Sequence, residues 1–109
     1  MKTYIDITSS IHPTACIGTE VRICKWVTIS HMVAVDSHVR IDDGVTVDAG
    51  AWIGRGTSLY KNVHIGAGAY IGWWSFIPEG ARVAPGAVVP CVQFMQLITR
   101  HALTTRSKP

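Results

Sequence analysis

Within residues 1–90 of this 109-residue chain, His12, His31, His38 and His64 are the side chains best suited to move a proton near neutral pH. Cys16, Cys24 and Cys91 are the ones that offer a thiol. Three cysteines at no paired spacing point to reduced thiols, hence to a cytoplasmic protein rather than a disulfide framework. No base stands near Cys24 in register, so it is expected to fill space. Arg82, Arg100, Arg106 and Lys108 are cations able to hold phosphate groups, the last three lying in the C-terminal tail.

These groups hang on a repeat. Every sixth residue is aliphatic, from Ile5, Ile11 and Ile17 through Ile53 and Leu59 to Val83 and Val89, with no insertion or skip. Two positions before each stands a small or β-branched residue, as in Val27, Val33, Ala51 and Ser75. Residues two apart share one face of a strand, and a period of six excludes an amphipathic helix, so each hexad reads as a short strand followed by a corner. All ten glycines fall one or three residues after the aliphatic, where the chain must turn. Pro13, Pro78, Pro85 and Pro90 fall in the same corners, where a missing N–H breaks no ladder.

From residue 3 to residue 90 this pattern resembles the hexapeptide-repeat family. The resemblance implies an all-β chain wound as a left-handed parallel β-helix with three hexads per coil. Fifteen hexads then make five coils, a prism about 24 Å tall at about 4.8 Å per stacked strand. Residues 1–90 are expected to form the β-helix domain and residues 91–109 a C-terminal cap. There Val92, Met95, Ile98 and Ala102 fit a short amphipathic helix, a strand exchanged with a neighbouring subunit being the alternative.

Charge narrows the partners. Residues 1–90 carry seven basic and seven acidic side chains, so the formal +3 comes wholly from Arg100, Arg106 and Lys108. The repeat body thus shows no basic stripe for nucleic acid. No long apolar segment escapes interruption by glycine or proline, so no membrane span is expected.

In coils of eighteen residues, His12, His31, His38 and His64 occupy four different columns. No metal site inside one subunit is expected from them. His31 falls at a corner between Pro13 and Ala49, and the adjoining column runs His12, Ser30, Asp48. Asp48 is therefore expected within reach of the His31 ring, where a carboxylate would fix its tautomer and leave the other nitrogen free to accept a proton.

Residues Ile29-Ser30-His31-Met32-Val33-Ala34-Val35-Asp36 resemble the segment of hexapeptide acyltransferases acting on sugars, sialic acids and nucleotide sugars that bears the catalytic histidine. Met32 stands where that family usually has an acidic or amide residue. The resemblance implies that His31 is the general base; Asp48, from its column alone, is the candidate catalytic partner that orients the ring. It implies acetyl-CoA or another acyl-CoA as co-substrate, a small sugar or amine as acceptor, and Arg82, Arg100, Arg106 and Lys108 as candidate CoA contacts. It also implies a homotrimer whose site lies between subunits. Trp52 and Tyr70, eighteen residues apart, are expected to stack on an outward face, and Trp73 to lie over Arg55, on surfaces suited to subunit packing. Two further readings are a non-catalytic or degenerate hexapeptide-repeat binding protein and a γ-carbonic-anhydrase-like zinc protein. For the latter, His31 resembles one ligand, but Asp36 stands where that class has histidine.

Overall fold

The computed structural model describes residues 2–90 of the chain. Fifteen two-residue strands fall on the hexad register, joined by four-residue corners, and all pair in parallel across coils of eighteen residues. The first face stacks β1 (Tyr4–Ile5), β4 (Arg22–Ile23), β7 (Arg40–Ile41), β10 (Ser58–Leu59) and β13 (Phe76–Ile77). The second stacks β2 (Ser10–Ile11), β5 (Thr28–Ile29), β8 (Thr46–Val47), β11 (His64–Ile65) and β14 (Arg82–Val83). On the third lie β3 (Cys16–Ile17), β6 (Ala34–Val35), β9 (Trp52–Ile53), β12 (Tyr70–Ile71) and β15 (Val88–Val89). The architecture is a parallel β-helix of five coils.

Backbone hydrogen bonds run from coil to coil. Arg40 N–H donates to the Thr57 carbonyl and Ser58 N–H to the Ser75 carbonyl, at 2.9 and 2.8 Å. Every ladder bond therefore joins residues of different coils, and the second residue of each strand points inward. Ile23, Ile41, Ile53, Ile65 and Ile71 are fully buried, with Val27, Val33, Val45 and Val63 beside them. The core thins at the first coil, where Ile5 is 41% exposed. Stacking on a neighbour, rather than closure within a coil, is what removes these side chains from water.

Where the small partner is polar, its hydroxyl is spent on the corner. Thr57 and Ser75 are fully buried, and both donate to the Gly72 carbonyl, at 3.0 and 2.9 Å. This is how a solenoid core admits a hydroxyl without leaving it unpaired.

Glycine serves two different ends in the two corner positions. Three residues after the aliphatic the backbone is left-handed, at φ of +69° to +75° in Gly44, Gly50, Gly56, Gly68, Gly80 and Gly86. Glu20, Trp26, Met32, His38, Asn62 and Trp74 adopt the same conformation at +56° to +62° and bear the strain of a side chain there. One residue after the aliphatic, φ is ordinary and the demand is space: a Cβ on Gly18 would lie 2.8 Å from the Ser37 nitrogen of the next coil.

Candidate active site

His31 sits on the corner between the second and third faces, its ring exposed. Both sides of its backbone are pinned: Met32 N–H donates to Thr14 Oγ1 of the coil before, and Gly50 N–H of the coil after donates to the His31 carbonyl, at 2.9 and 3.1 Å. Strand register places Pro13 on one side of it and Ala49 on the other, so the imidazole is flanked by small side chains. It meets the His12 ring edge to face, with centroids 5.7 Å apart. His12 is held in turn, its Nδ1 accepting the Thr14 N–H at 3.1 Å and lying 2.9 Å from Thr14 Oγ1. The two rings thus line one edge of the prism, His12 hydrogen-bonded and His31 open.

Asp48 does not hold His31. Its Oδ2 lies 2.9 Å from Nε2 of His64, on the outward side of β11, and both groups are about two-fifths exposed. Asp48 lies beside the corner as its column predicts, but side-chain torsion decides which way the carboxylate turns. The strand hands it a partner sixteen residues on, one coil above, where an imidazole reaches down across the face. A histidine at the outward position of a hexad with an acid near the preceding coil's corner is the sequence signal of such a pair. With Nε2 against the carboxylate, Nδ1 of His64 is the nitrogen left to accept a proton.

His38 pairs with Glu20 at 2.8 Å on the corner between the third and first faces, remote in register from His31. Asp36 also belongs to that corner, accepting the Ser37 N–H at 2.7 Å, so the pair His31 and Asp36 is split between two edges of the prism. The one metal-sized gathering of donors among the described residues is elsewhere: Cys24 with Asp42 and Asp43, within 4.8 Å of one another. Burial and those two carboxylates push the Cys24 thiol up, which keeps it protonated at neutral pH.

Arg82 is exposed on β14, next to His64 in register. Cys91, Arg100, Arg106, Lys108 and the expected cap lie outside the described residues. Trp52 and Tyr70 stack as expected, centroids 4.5 Å apart and rings within 5° of parallel. Among the described residues the cation–π contact is Arg22 over Tyr4, at 6.0 Å, rather than Trp73 over Arg55.

Stacked six-residue repeats, three parallel sheets and corners with residues of positive φ define a parallel β-helix. Residues 50–85 match the family model of the bacterial transferase hexapeptide (six repeats). A solved structure similar to this chain is a histidine-to-alanine mutant of GDP-perosamine N-acetyl transferase from Caulobacter crescentus in complex with CoA and GDP-perosamine. The identity is 16% and the TM-score 0.49, over 84% of this chain and 54% of that one. This chain therefore spans about half of that protein's length. No curated protein matches the chain. No helix among the described residues is long and apolar enough to cross a membrane.

Proposed function

We propose that this protein transfers an acyl group from an acyl-CoA, acetyl-CoA foremost, to the amine or hydroxyl of a small sugar, with His31 as general base. The observation that carries the reading is the exposed, backbone-pinned His31 imidazole, set in the segment that resembles the base-bearing segment of hexapeptide acyltransferases. The transferase hexapeptide match on the following coils supports it. In this reaction a ring nitrogen of His31 takes the acceptor's proton as the acceptor attacks the thioester carbonyl. The tetrahedral intermediate collapses with cleavage of the C–S bond, and the CoA thiolate departs. Arg82, with Arg100, Arg106 and Lys108 of the tail, supplies positive charge for CoA phosphates. The test is thiol release from acetyl-CoA driven by a panel of amino sugars, confirmed by the mass of the acylated product. No acceptor-dependent release across the panel would favour a non-catalytic binding protein.

The His64–Asp48 pair favours a second assignment of the base within the same reaction. The two assignments separate cleanly. With His31 as base, Asp48→Asn and His64→Ala are each expected to leave turnover within about threefold of the parent, because neither touches the corner ring. A loss in either variant as deep as that of His31→Ala moves the base to His64.

The assembly proposed is a homotrimer in a cytoplasmic setting, packed through the third face, where Ala34, Trp52, Tyr70 and Val88 form an apolar column beside the His31 corner. Tyr70 is 40% and Val88 68% exposed in the single chain. Light scattering is expected to report three chains per particle, and Trp52→Glu to release monomers while the circular dichroism stays that of strand and turn. A monomeric parent protein would remove the face as an interface.

A further inference from the structure

Two corners of the first coil are tied by the same set of bonds. After the first face, Asp6 Oδ1 accepts the Thr8 N–H and hydroxyl at 2.9 and 2.7 Å, and Thr8 Oγ1 accepts the Trp26 N–H of the next coil at 3.0 Å. After the second face, His12 Nδ1 stands in for that carboxylate oxygen. It accepts the Thr14 N–H at 3.1 Å and lies 2.9 Å from Thr14 Oγ1, which in turn accepts the Met32 N–H at 2.9 Å. Such a corner asks only for an acceptor, and at Asp6 a carboxylate is enough. Histidine brings a second nitrogen that the corner does not use.

The bonding fixes the state of that nitrogen. Nδ1 meets a backbone N–H, so it presents its lone pair there, and Thr14 Oγ1, having accepted the Met32 N–H, turns its own proton to the same atom. The neutral ring therefore carries its proton on Nε2. His12 is exposed, and its Nε2 has no protein partner among the described residues. One tethered N–H donor is thus left over on the edge of the prism that bears His31, with the two ring centroids 5.7 Å apart.

We infer that Nε2–H of His12 is the oxyanion donor of the acyl transfer, an assignment that rests on the reading of His31 as base. The acceptor's lone pair forms the new bond to the thioester carbon while His31 takes the acceptor's proton, and the carbonyl π pair moves onto oxygen. That oxyanion accepts the His12 N–H. Collapse restores the C=O bond and breaks the C–S bond, and the departing thiolate takes the proton from the His31 imidazolium. Between the base nitrogen and the oxyanion donor stand the attacking atom, the carbonyl carbon and its oxygen, a span of about 5–7 Å. The separation of the two rings is of that size. An imidazole held in one tautomer stabilises the developing charge by donating its proton in a hydrogen bond, without transferring it.

Two substitutions divide the structural duty of His12 from the chemical one. The oxygen of asparagine reaches the place of Nδ1 and can accept the Thr14 N–H as Asp6 accepts that of Thr8, but it offers no donor at the reach of Nε2. The amide nitrogen of glutamine reaches Nε2. His12→Asn is therefore expected to keep the parent's melting temperature and its KM for acetyl-CoA while kcat falls by about 10²- to 10³-fold. His12→Gln should recover kcat to within about tenfold of the parent. Steady-state kinetics with an acceptor from the amino-sugar panel, beside thermal melts, reads both. A merely structural histidine predicts the reverse order, with asparagine the better replacement, and that result overturns the assignment. So does normal kcat in His12→Asn where His31→Ala is inactive, an outcome that leaves the base in place, and so does a rise in acceptor KM at unchanged kcat. Absence of acyl transfer by the parent overturns the donor and the base together.

Discussion

Replacing His31 by alanine is expected to lower kcat/KM for acyl transfer by about 10² to 10⁴ while leaving CoA affinity and the melting temperature close to those of the parent. The ring is exposed, so its loss opens no cavity. The corner is held by Met32 N–H on Thr14 and by Gly50 N–H on the His31 carbonyl, bonds that alanine keeps. Only the proton acceptor disappears. Steady-state kinetics with an acceptor found in the amino-sugar panel, beside calorimetry with CoA, gives both halves of the result. Unchanged turnover in His31→Ala would reject the assignment. A fall in CoA affinity matching the fall in rate would instead make His31 a binding group.

Ile53→Asp carries the largest expected effect on stability. Ile53 lies in the middle coil at zero exposure, paired through β9 to Val35 in the coil before and Ile71 in the coil after. A carboxylate there lies between the aliphatic side chains of Val35 and Ile71 in the core. Burying an unpaired acid costs several kcal/mol, about 4–5 or more, comparable with the whole stability of a small domain. Loss of the cooperative melt, or insolubility, is expected. Ile53→Val at the same position deletes one methyl group and should cost about 1 kcal/mol, a control that keeps the backbone register. A mild effect of Ile53→Asp on thermal unfolding would mean that the side chain reaches solvent.

Strand positions, inward faces and the coil-to-coil columns could all be read before any coordinates, because each is set by a period that no competing structure shares. The Trp52–Tyr70 stack followed from that period alone: two rings eighteen apart at outward positions have nowhere else to go. Side-chain torsions were not legible. Asp48 and His31 are neighbours by column, yet the carboxylate swings onto the second face to meet His64, a choice made by χ angles rather than by register. The glycines show the same limit. Their recurrence marked the corners, but only the structure separates Gly44, which the left-handed backbone favours, from Gly18, which the next coil's backbone requires. Met32 occupies a left-handed position without being glycine, a strain beside His31 that no residue pattern marks.

The unbroken eighteen-residue register makes the molecule a ruler. Tyr4, Arg22, Arg40, Ser58 and Phe76 are graduations on a single edge-to-edge scale, and Ser10, Thr28, Thr46, His64 and Arg82 are graduations on another. Separations between groups on one scale come only in whole steps of about 4.8 Å. A chain built this way adjusts the reach between two binding groups by gaining or losing a coil, and changes chemistry at a step by replacing one residue in eighteen. Length and chemistry are thereby separate variables, which a globular fold, where every insertion disturbs its surroundings, does not offer.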